Sequence, residues 1–362
     1  MSDRFSFARL LAVVIKELRQ LRRDRLTYGM IIGIPTLQLI LFGYAINMDV
    51  RHLPAAVVDQ AQTQTSRQVV AELQQSRVFN FNRALHHPAT GEALLRRGEV
   101  KAVLIIPADF ERRLQGQRPP LQLIVDGSDQ VVQQAARQIV QFPLRGTTTT
   151  ASVEVLPYYN PHRNAPLNTV PGLIGVILTM TMVMFTAIAL VREREQGNLE
   201  FLITTPLSSA ELTLGKVLPF VAIGLIQTSL VLLLGKWIFQ VPVRGSPLEL
   251  YLAALLFIIA SLALGIFIST LVRSQFQAIQ AAIFTFLPQI LLSGFMFPYE
   301  GMPKAAQWIA EVLPLTHFIR LARGIMLRGA GLDDLWPELL ALAVFAAALL
   351  VVAVARVHKR LD

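Results

Sequence analysis

Arg192-Glu193-Arg194-Glu195-Gln196-Gly197-Asn198-Leu199-Glu200 lies directly between two long apolar runs and continues into Phe201-Leu202-Ile203-Thr204-Thr205-Pro206. Charges packed this densely cannot stay in hydrocarbon, so the chain leaves the membrane here. Leu199, Leu202 and Ile203 then give a short helix one apolar edge with which to grip a neighbour. Gly197 can break the end of the preceding span, and Pro206-Leu207-Ser208-Ser209 ends the short helix, with Ser209 suited to cap the next one and Glu211 to its first turn. The stretch reads as a handle between two spans.

Composition agrees. Of 362 residues, 53% are hydrophobic and 16% charged, with mean hydropathy +0.51, whereas soluble domains carry about 25% charged residues. The fold class is therefore a polytopic α-helical membrane protein. Crossing about 30 Å of hydrocarbon takes about 20 helical residues, and six segments qualify: 27–46, 169–191, 217–238, 250–272, 276–297 and 336–355. Basic residues crowd before the first span, where Arg19, Arg22, Arg23 and Arg25 stand, and after the second at Arg192 and Arg194. Arg273 marks the turn between the fourth and fifth, and Arg356, Lys359 and Arg360 follow the sixth. The positive-inside rule puts all four groups, and both termini, in the cytoplasm.

The net charge of +9 is thus topological, and nucleic-acid binding is not expected. With no cysteine, disulfides and thiolate metal sites are excluded, and His86-His87 reads as a pair of solvated loop residues. Residues 1–26 read as a cytoplasmic amphipathic helix rather than a cleaved signal peptide. Phe7, Leu11, Val14, Leu18 and Leu21 form one face, and Arg9, Lys16, Arg19 and Arg23 another.

Residues 47–165 alternate short strands with helices, which predicts an α/β domain outside the cytoplasm between the first and second spans. Strands are expected at Ala55–Asp59, Val78–Phe81, Lys101–Pro107 and Leu121–Asp126, and helices at Thr65–Gln75, Gly91–Arg97, after Pro107, and at Gln130–Gln141. Asp126-Gly127-Ser128-Asp129 reads as a turn and helix start rather than a metal loop, and no catalytic constellation is visible. Such a domain could shape an exit path or dock a periplasmic adaptor.

Between Glu193 and Lys216 the pattern becomes specific. Glu193-Arg194-Glu195-Gln196-Gly197, Leu199-Glu200, Thr205-Pro206-Leu207, Glu211-Leu212 and Gly215-Lys216 resemble the cytoplasmic loop of type-2 ABC export permeases. Ser293-Gly294-Phe295-Met296-Phe297-Pro298, Gly301-Met302-Pro303, Leu313-Pro314-Leu315-Thr316 and Arg323-Gly324-Ile325 are similar to a second family signature. Tyr159-Asn160-Pro161 with Val170-Pro171-Gly172 are similar to a third. The resemblance covers essentially the whole chain, including the large first external segment of the multidrug-type subgroup, with Asn198 and Phe201 as mild departures.

The resemblance implies a permease subunit of an ATP-driven exporter of hydrophobic or amphipathic compounds, in a bacterial inner membrane. It also implies residues 192–216 as the coupling loop, with Glu193, Glu195, Gly197, Leu199, Glu200 and Leu202 meeting an ABC ATPase. Gly294, Pro298, Gly301 and Pro303 punctuate a broken apolar segment, so residues 294–330 are expected to form a re-entrant or interfacial hairpin, with Trp308 suited to the interface. The six spans make half of a permease pair, implying a second copy or a sibling permease and two ATPase copies.

This chain holds no P-loop of its own. Gly215-Lys216 and Gly235-Lys236 lack the first glycine and the Ser/Thr that cradle phosphate, since Ala210 and Val217, and Leu230 and Trp237, stand there. No cofactor is expected on this chain; ATP and Mg belong on the partner. Polar side chains within spans are few, and Gln38, Gln227, Gln280 and Gln289 are the candidates for a substrate path, with interhelical hydrogen bonding the alternative use. No Asp or Glu lies mid-span, which disfavours an ion-coupled antiporter. A ligand-sensing membrane receptor is the other rival, and the seven residues from Arg356 to Asp362 would have to carry its output.

Overall fold

The computed structural model describes residues 52–196, apart from 117–118, 138, 140, 144–149 and 163, and residues 209–358. The N-terminal amphipathic helix, the first expected span with Gln38, and Gly197, Leu199, Glu200 and Leu202 lie outside the described residues.

Residues 52–158 form one sheet with helices on both faces. In chain order the elements are β1 (Leu53–Asp59), α1 (Gln64–Gln75), β2 (Phe79–Leu85), α2 (Pro88–Arg97), β3 (Ala102–Ile106), α3 (Phe110–Leu114), β4 (Leu121–Asp126), α4 (Gln130–Arg137), β5 (Gln141–Pro143) and β6 (Thr150–Tyr158). The sheet order is β2-β1-β3-β4-β6-β5, with β1 parallel to β2 and β3, β4 antiparallel to β3 and parallel to β6, and β5 antiparallel to β6. Alternation along each strand sorts side chains into two cores. Leu53, Ala55, Val57, Ala102, Leu104 and Ile106 join Val69 of α1 and Val132 of α4. Ala56, Val58 and Val103 face the opposite way, onto Leu95 of α2. The four expected strands and four expected helices are all present, but the last helix stops at Arg137 rather than Gln141. Gln141–Pro143 pairs instead with Thr150–Ser152, and that local pairing outcompetes one more helical turn.

Among the described residues, five helices are long and apolar enough to cross a membrane: α5 (Ala165–Glu195), α6 (Ser209–Phe239), α7 (Pro247–Leu271), α8 (Gln275–Leu292) and α11 (Trp336–His358). Between α8 and α11 lie a 3-10 turn (Tyr299–Gly301), α9 (Lys304–Val312), α10 (Pro314–Arg323) and a π-helical turn (Gly324–Arg328). The chain is thus a helical membrane protein with a sheet-bearing domain before the second expected span. The apolar run expected to continue to 297 ends at Leu292, because Gly294 turns the backbone with φ 78°.

The most buried span is α7, which packs against α5, α6, α10 and α11. Association in lipid depends on close contact rather than water exclusion, and small residues provide it here. Gly265 of α7 sits so near α5 that an added Cβ would lie 2.8 Å from both the Val183 carbonyl oxygen and the Thr186 Cβ. Phe257 of α7 stacks on Phe318 of α10 at 4.4 Å between centroids. The outward faces of α6 and α11 stay apolar and exposed, with Ile226, Leu230, Leu233, Val344 and Val351 suited to lipid tails.

Gly265→Val is expected to destabilise the bundle by about 1–3 kcal/mol, the usual cost of overpacking, since a backbone oxygen cannot move aside as a side chain can. The unfolding temperature of detergent-solubilised protein should fall, whereas Gly116→Ala on the exposed domain surface should leave it unchanged.

Candidate functional site

At the end of the bundle far from the sheet, the last turn of α5 fastens two other helices. Arg194 donates from a guanidinium nitrogen to the Ser269 carbonyl at 3.0 Å, in the last turn of α7. Adjacent Glu195 accepts from the Gln275 backbone N–H at 3.0 Å and from its side-chain amide at 2.6 Å, at the first residue of α8. Orphan carbonyls with partial negative charge meet a cation, and orphan N–H groups with partial positive charge meet an anion. Ser274 and Gln277 complete the α8 start: the Ser274 hydroxyl accepts from the Gln277 N–H and the Gln277 side chain accepts from the Arg273 N–H. Glu193 lies in the same last turn of α5.

The three described path glutamines do not converge. Gln227 of α6 accepts from the Thr181 hydroxyl of α5 at 2.9 Å, an interhelical bond. Gln289 of α8 is 1% exposed and faces a small cleft against Thr179 and Val183 of α5. Gln280 is nine residues earlier, which at about 100° per residue turns it half a revolution away on the same helix. The side-chain carbonyls of Gln280 and Gln289 are buried without a partner among the described residues.

At the domain-side end the separate sequence signatures come together. Gly172 of α5 leaves space for the Phe295 ring, and Gly175 for Leu315 and Phe318. The broken backbone after α8 needs its carbonyls satisfied, and the Gln307 amide of α9 donates to those of Tyr299 and Met302 at 3.2 and 3.1 Å. Gly301 lies in the 3-10 turn that Pro298 caps, and Pro303 caps α9. Trp308, Ile309 and Val312 form an exposed apolar edge of α9. Asn160, fully buried, exchanges two hydrogen bonds with the Asn164 backbone and so fixes the passage from β6 into α5.

Ion pairs join the domain to this end: Arg97 to Asp334 at 3.0 Å, Lys101 to Glu300 at 3.3 Å and Arg328 to Asp126 at 3.5 Å. Asp126 also accepts from Ser128, so the Asp126–Asp129 segment is a turn into α4, as its sequence suggests.

A cluster that sequence reasoning missed lies beside it. His317 of α10 bonds the Glu338 carboxylate of α11 through Nδ1 and the Glu311 carbonyl through Nε2. Arg320 binds Glu311 at 2.6 Å and Glu338 at 3.3 Å, and lies over the Tyr299 ring. Its signal was visible only as His317 and Arg320 three apart in an apolar segment, one helical turn on one face.

With the geometry in view, comparison with known proteins is decisive. Residues 25–355 match the family described as ABC-2 family transporter protein. The chain belongs to that family. It is 31% identical to the probable multidrug ABC transporter permease YbhR of Escherichia coli strain K12, over 94% of this chain and 96% of that one. It is 29% identical to the probable multidrug ABC transporter permease YbhS of the same strain, over 90% of each chain. Likewise it is 29% identical to the inner membrane transport permease YhhJ of that strain, over 95% of this chain and 96% of that one. This ABC-2 protein is accordingly the membrane permease subunit of an ABC exporter, a non-catalytic subunit that works with a separate ABC ATPase.

Burial opposes charge on His317, but its hydrogen bonds to Glu338 and the Glu311 carbonyl, with the Glu338 charge, raise its pKa above the ordinary value despite Arg320 nearby. A raised native pKa stabilises the fold fully below the unfolded pKa of about 6.5 and loses that contribution as pH rises through the native value. The permease should therefore lose thermal stability as pH is raised above that range, and His317→Asn should flatten the decline. The groups facing His317 are Glu338, Glu311, Arg320 and, through Arg320, Tyr299, so the comparison is made at constant ionic strength.

Proposed function

We propose that this permease exports hydrophobic or amphipathic compounds, drug-like or lipid-like, from the cytoplasm or inner leaflet of a bacterial inner membrane. ATP and Mg act on the partner ATPase, two copies of which serve a pair of permease chains, either two copies of this one or this one with a sibling. The resemblance of the whole chain to permeases named for multidrug transport supports the cargo class. Residues 27–46 complete six spans, both termini are cytoplasmic, the sheet domain of 47–165 lies outside the cytoplasm, where it can meet a periplasmic adaptor, and 294–330 is an interfacial hairpin within the C-terminal membrane unit of 166–362.

The observation that carries the mechanism is the fastening of three helices at one point. Loop 192–216 begins in the turn of α5 whose Arg194 and Glu195 hold the ends of α7 and α8. A displacement of that loop by ATP-driven closure of the ATPases is delivered to three spans at once, which suits a switch between inward-facing and outward-facing states. In this reading Leu199 and Leu202 pack on the ATPase, Glu193 and Glu200 make polar contacts with it, and Gly197 allows the turn. Glu195 passes the motion to α8. Gln289, which faces the cleft against α5 with its carbonyl unmet, is the stronger candidate for the path, whereas Gln280 stands on the opposite side of α8 and Gln38 belongs to the first span.

The roles separate experimentally. In the complex reconstituted in liposomes, Leu199→Asp should weaken ATPase association, measured by co-purification, and abolish transport. Glu195→Lys should leave association near normal yet lower transport of an amphipathic dye per ATP hydrolysed at least several-fold. Unchanged coupling in both variants would remove the proposed route.

A further inference from the structure

Between the sheet domain and the domain-side end of the bundle lies a cavity of about 720 Å³, within the range of sites for drug-sized ligands. Its wall is formed by α10, the π-helical turn, the 3-10 turn, the start of α9 and the domain loops after α2 and β4. Six cationic side chains line it against four acidic ones. Every one of those acids is already paired: Asp126 with Arg328, Asp129 and Glu300 with Lys101, and Glu338 with Arg320.

The cations are not matched in the same way. Arg323 forms no hydrogen bond or ion pair among the described residues and its Nε is buried, although its charge acts through space on Asp129, which is paired with Lys101. Arg328 is 9% exposed, and its Nε, too, has no partner although another of its nitrogens reaches Asp126. Lys304, at the first residue of α9, is exposed and likewise forms no ion pair among the described residues. Leaving a buried guanidinium N–H without an acceptor is costly, so the wall is complementary to an anion that the described residues do not themselves supply. Arg323 caps and Arg328 ends a π-helical turn, a rare geometry found frequently at functional sites. Gly98, the left-handed cap of α2 with φ 77°, lies directly against the Arg328 guanidinium, so this arginine is packed on the domain backbone.

We propose that this cavity is a binding site for a phosphate group, held by Arg323, Arg328 and Lys304. Guanidinium forks suit tetrahedral oxyanions through paired N–H donors. The cavity is much larger than a phosphate ion, and its Lys304 side continues onto the apolar edge of α9 at Trp308 and Ile309. That arrangement suits a phosphate carried by an amphiphile whose chains lie along α9, and the same donors would accept free phosphate. The site is independent of the transport reading, because it is defined by binding alone.

The test uses detergent-purified full-length chain, titrated with inorganic phosphate in one arm and dihexanoyl phosphatidylglycerol below its micellar concentration in the other, with calorimetric readout. Saturable binding in at least one arm is expected, weakened at least tenfold in Arg323→Gln and in Lys304→Gln and unchanged in Arg112→Gln on the domain surface. Binding in the lipid arm alone identifies a lipid headgroup as the source; binding in the phosphate arm identifies the free ion as sufficient. Lys304 is exposed, so its variant folds even if the loss of Arg323 disturbs the junction. Absence of saturation in both arms, or wild-type affinity in both variants, overturns the proposal.

Discussion

Hydrocarbon is costly for a charge and for a peptide group without a partner, and this protein meets both demands at the same places. Its described spans carry their formal charges near helix ends, where orphan backbone groups also lie. At the far end of the bundle, Arg194 and Glu195 are neighbours in sequence with opposite charges, and each faces the helix terminus of opposite polarity. One turn of α5 thereby closes the end of α7 and the start of α8. The short connection between those helices, with Arg273 and Ser274, needs no further support than this and its own cap.

The same constraint accounts for what could be read from the sequence. Five of the six expected spans coincide with long helices in the described region, since a run of about 20 apolar residues has few alternatives. The α/β alternation was equally legible, because Ala102–Ile106 is a continuous apolar strand and Leu121–Asp126 is apolar but for Gln122 and its terminal Asp126, and each is largely buried. β6 was missed: Thr150–Tyr158 is interrupted by Glu154 and Pro157 and draws its order from pairing with β4 across about 30 residues of sequence. Tertiary partners were the illegible part. Glu195 reads only as a contact for the ATPase until Gln275 is placed against it, and His317 and Glu338, which bond to each other, are 21 residues apart. Nothing local in the sequence marks either pairing. The glutamines show the converse: residue type pointed to a polar role, but helix phase, which decides whether they share a path, put Gln280 and Gln289 on opposite sides of α8.

α5 also explains why the family signatures occur where they do. Its start is fixed by Asn160 and packs through Gly172 and Gly175 on Phe295, Leu315 and Phe318, while its end holds α7 and α8. Signatures more than 100 residues apart in the chain are therefore parts of one contact surface along a single helix of 31 residues, about 46 Å long.

A helix held at both ends transmits displacement only as far as it is stiff, and α5 has one weak point. Pro171 removes a backbone donor within the first two turns and clashes with the preceding turn. A load entering at Glu195 therefore crosses most of the bundle through unbroken helix before it meets this site, next to the hairpin and the sheet domain. On the proposed coupling route, bending concentrates there, and the hairpin moves relative to the domain across the junction lined by Lys101, Glu300 and Arg328. Ion pairs across such a junction can re-form at small displacements, because Coulomb attraction falls gradually with distance, whereas the close contacts at Gly172 and Gly175 cannot. The bundle-side contacts thus keep the hairpin with α5, and the polar junction is where relative motion is accommodated.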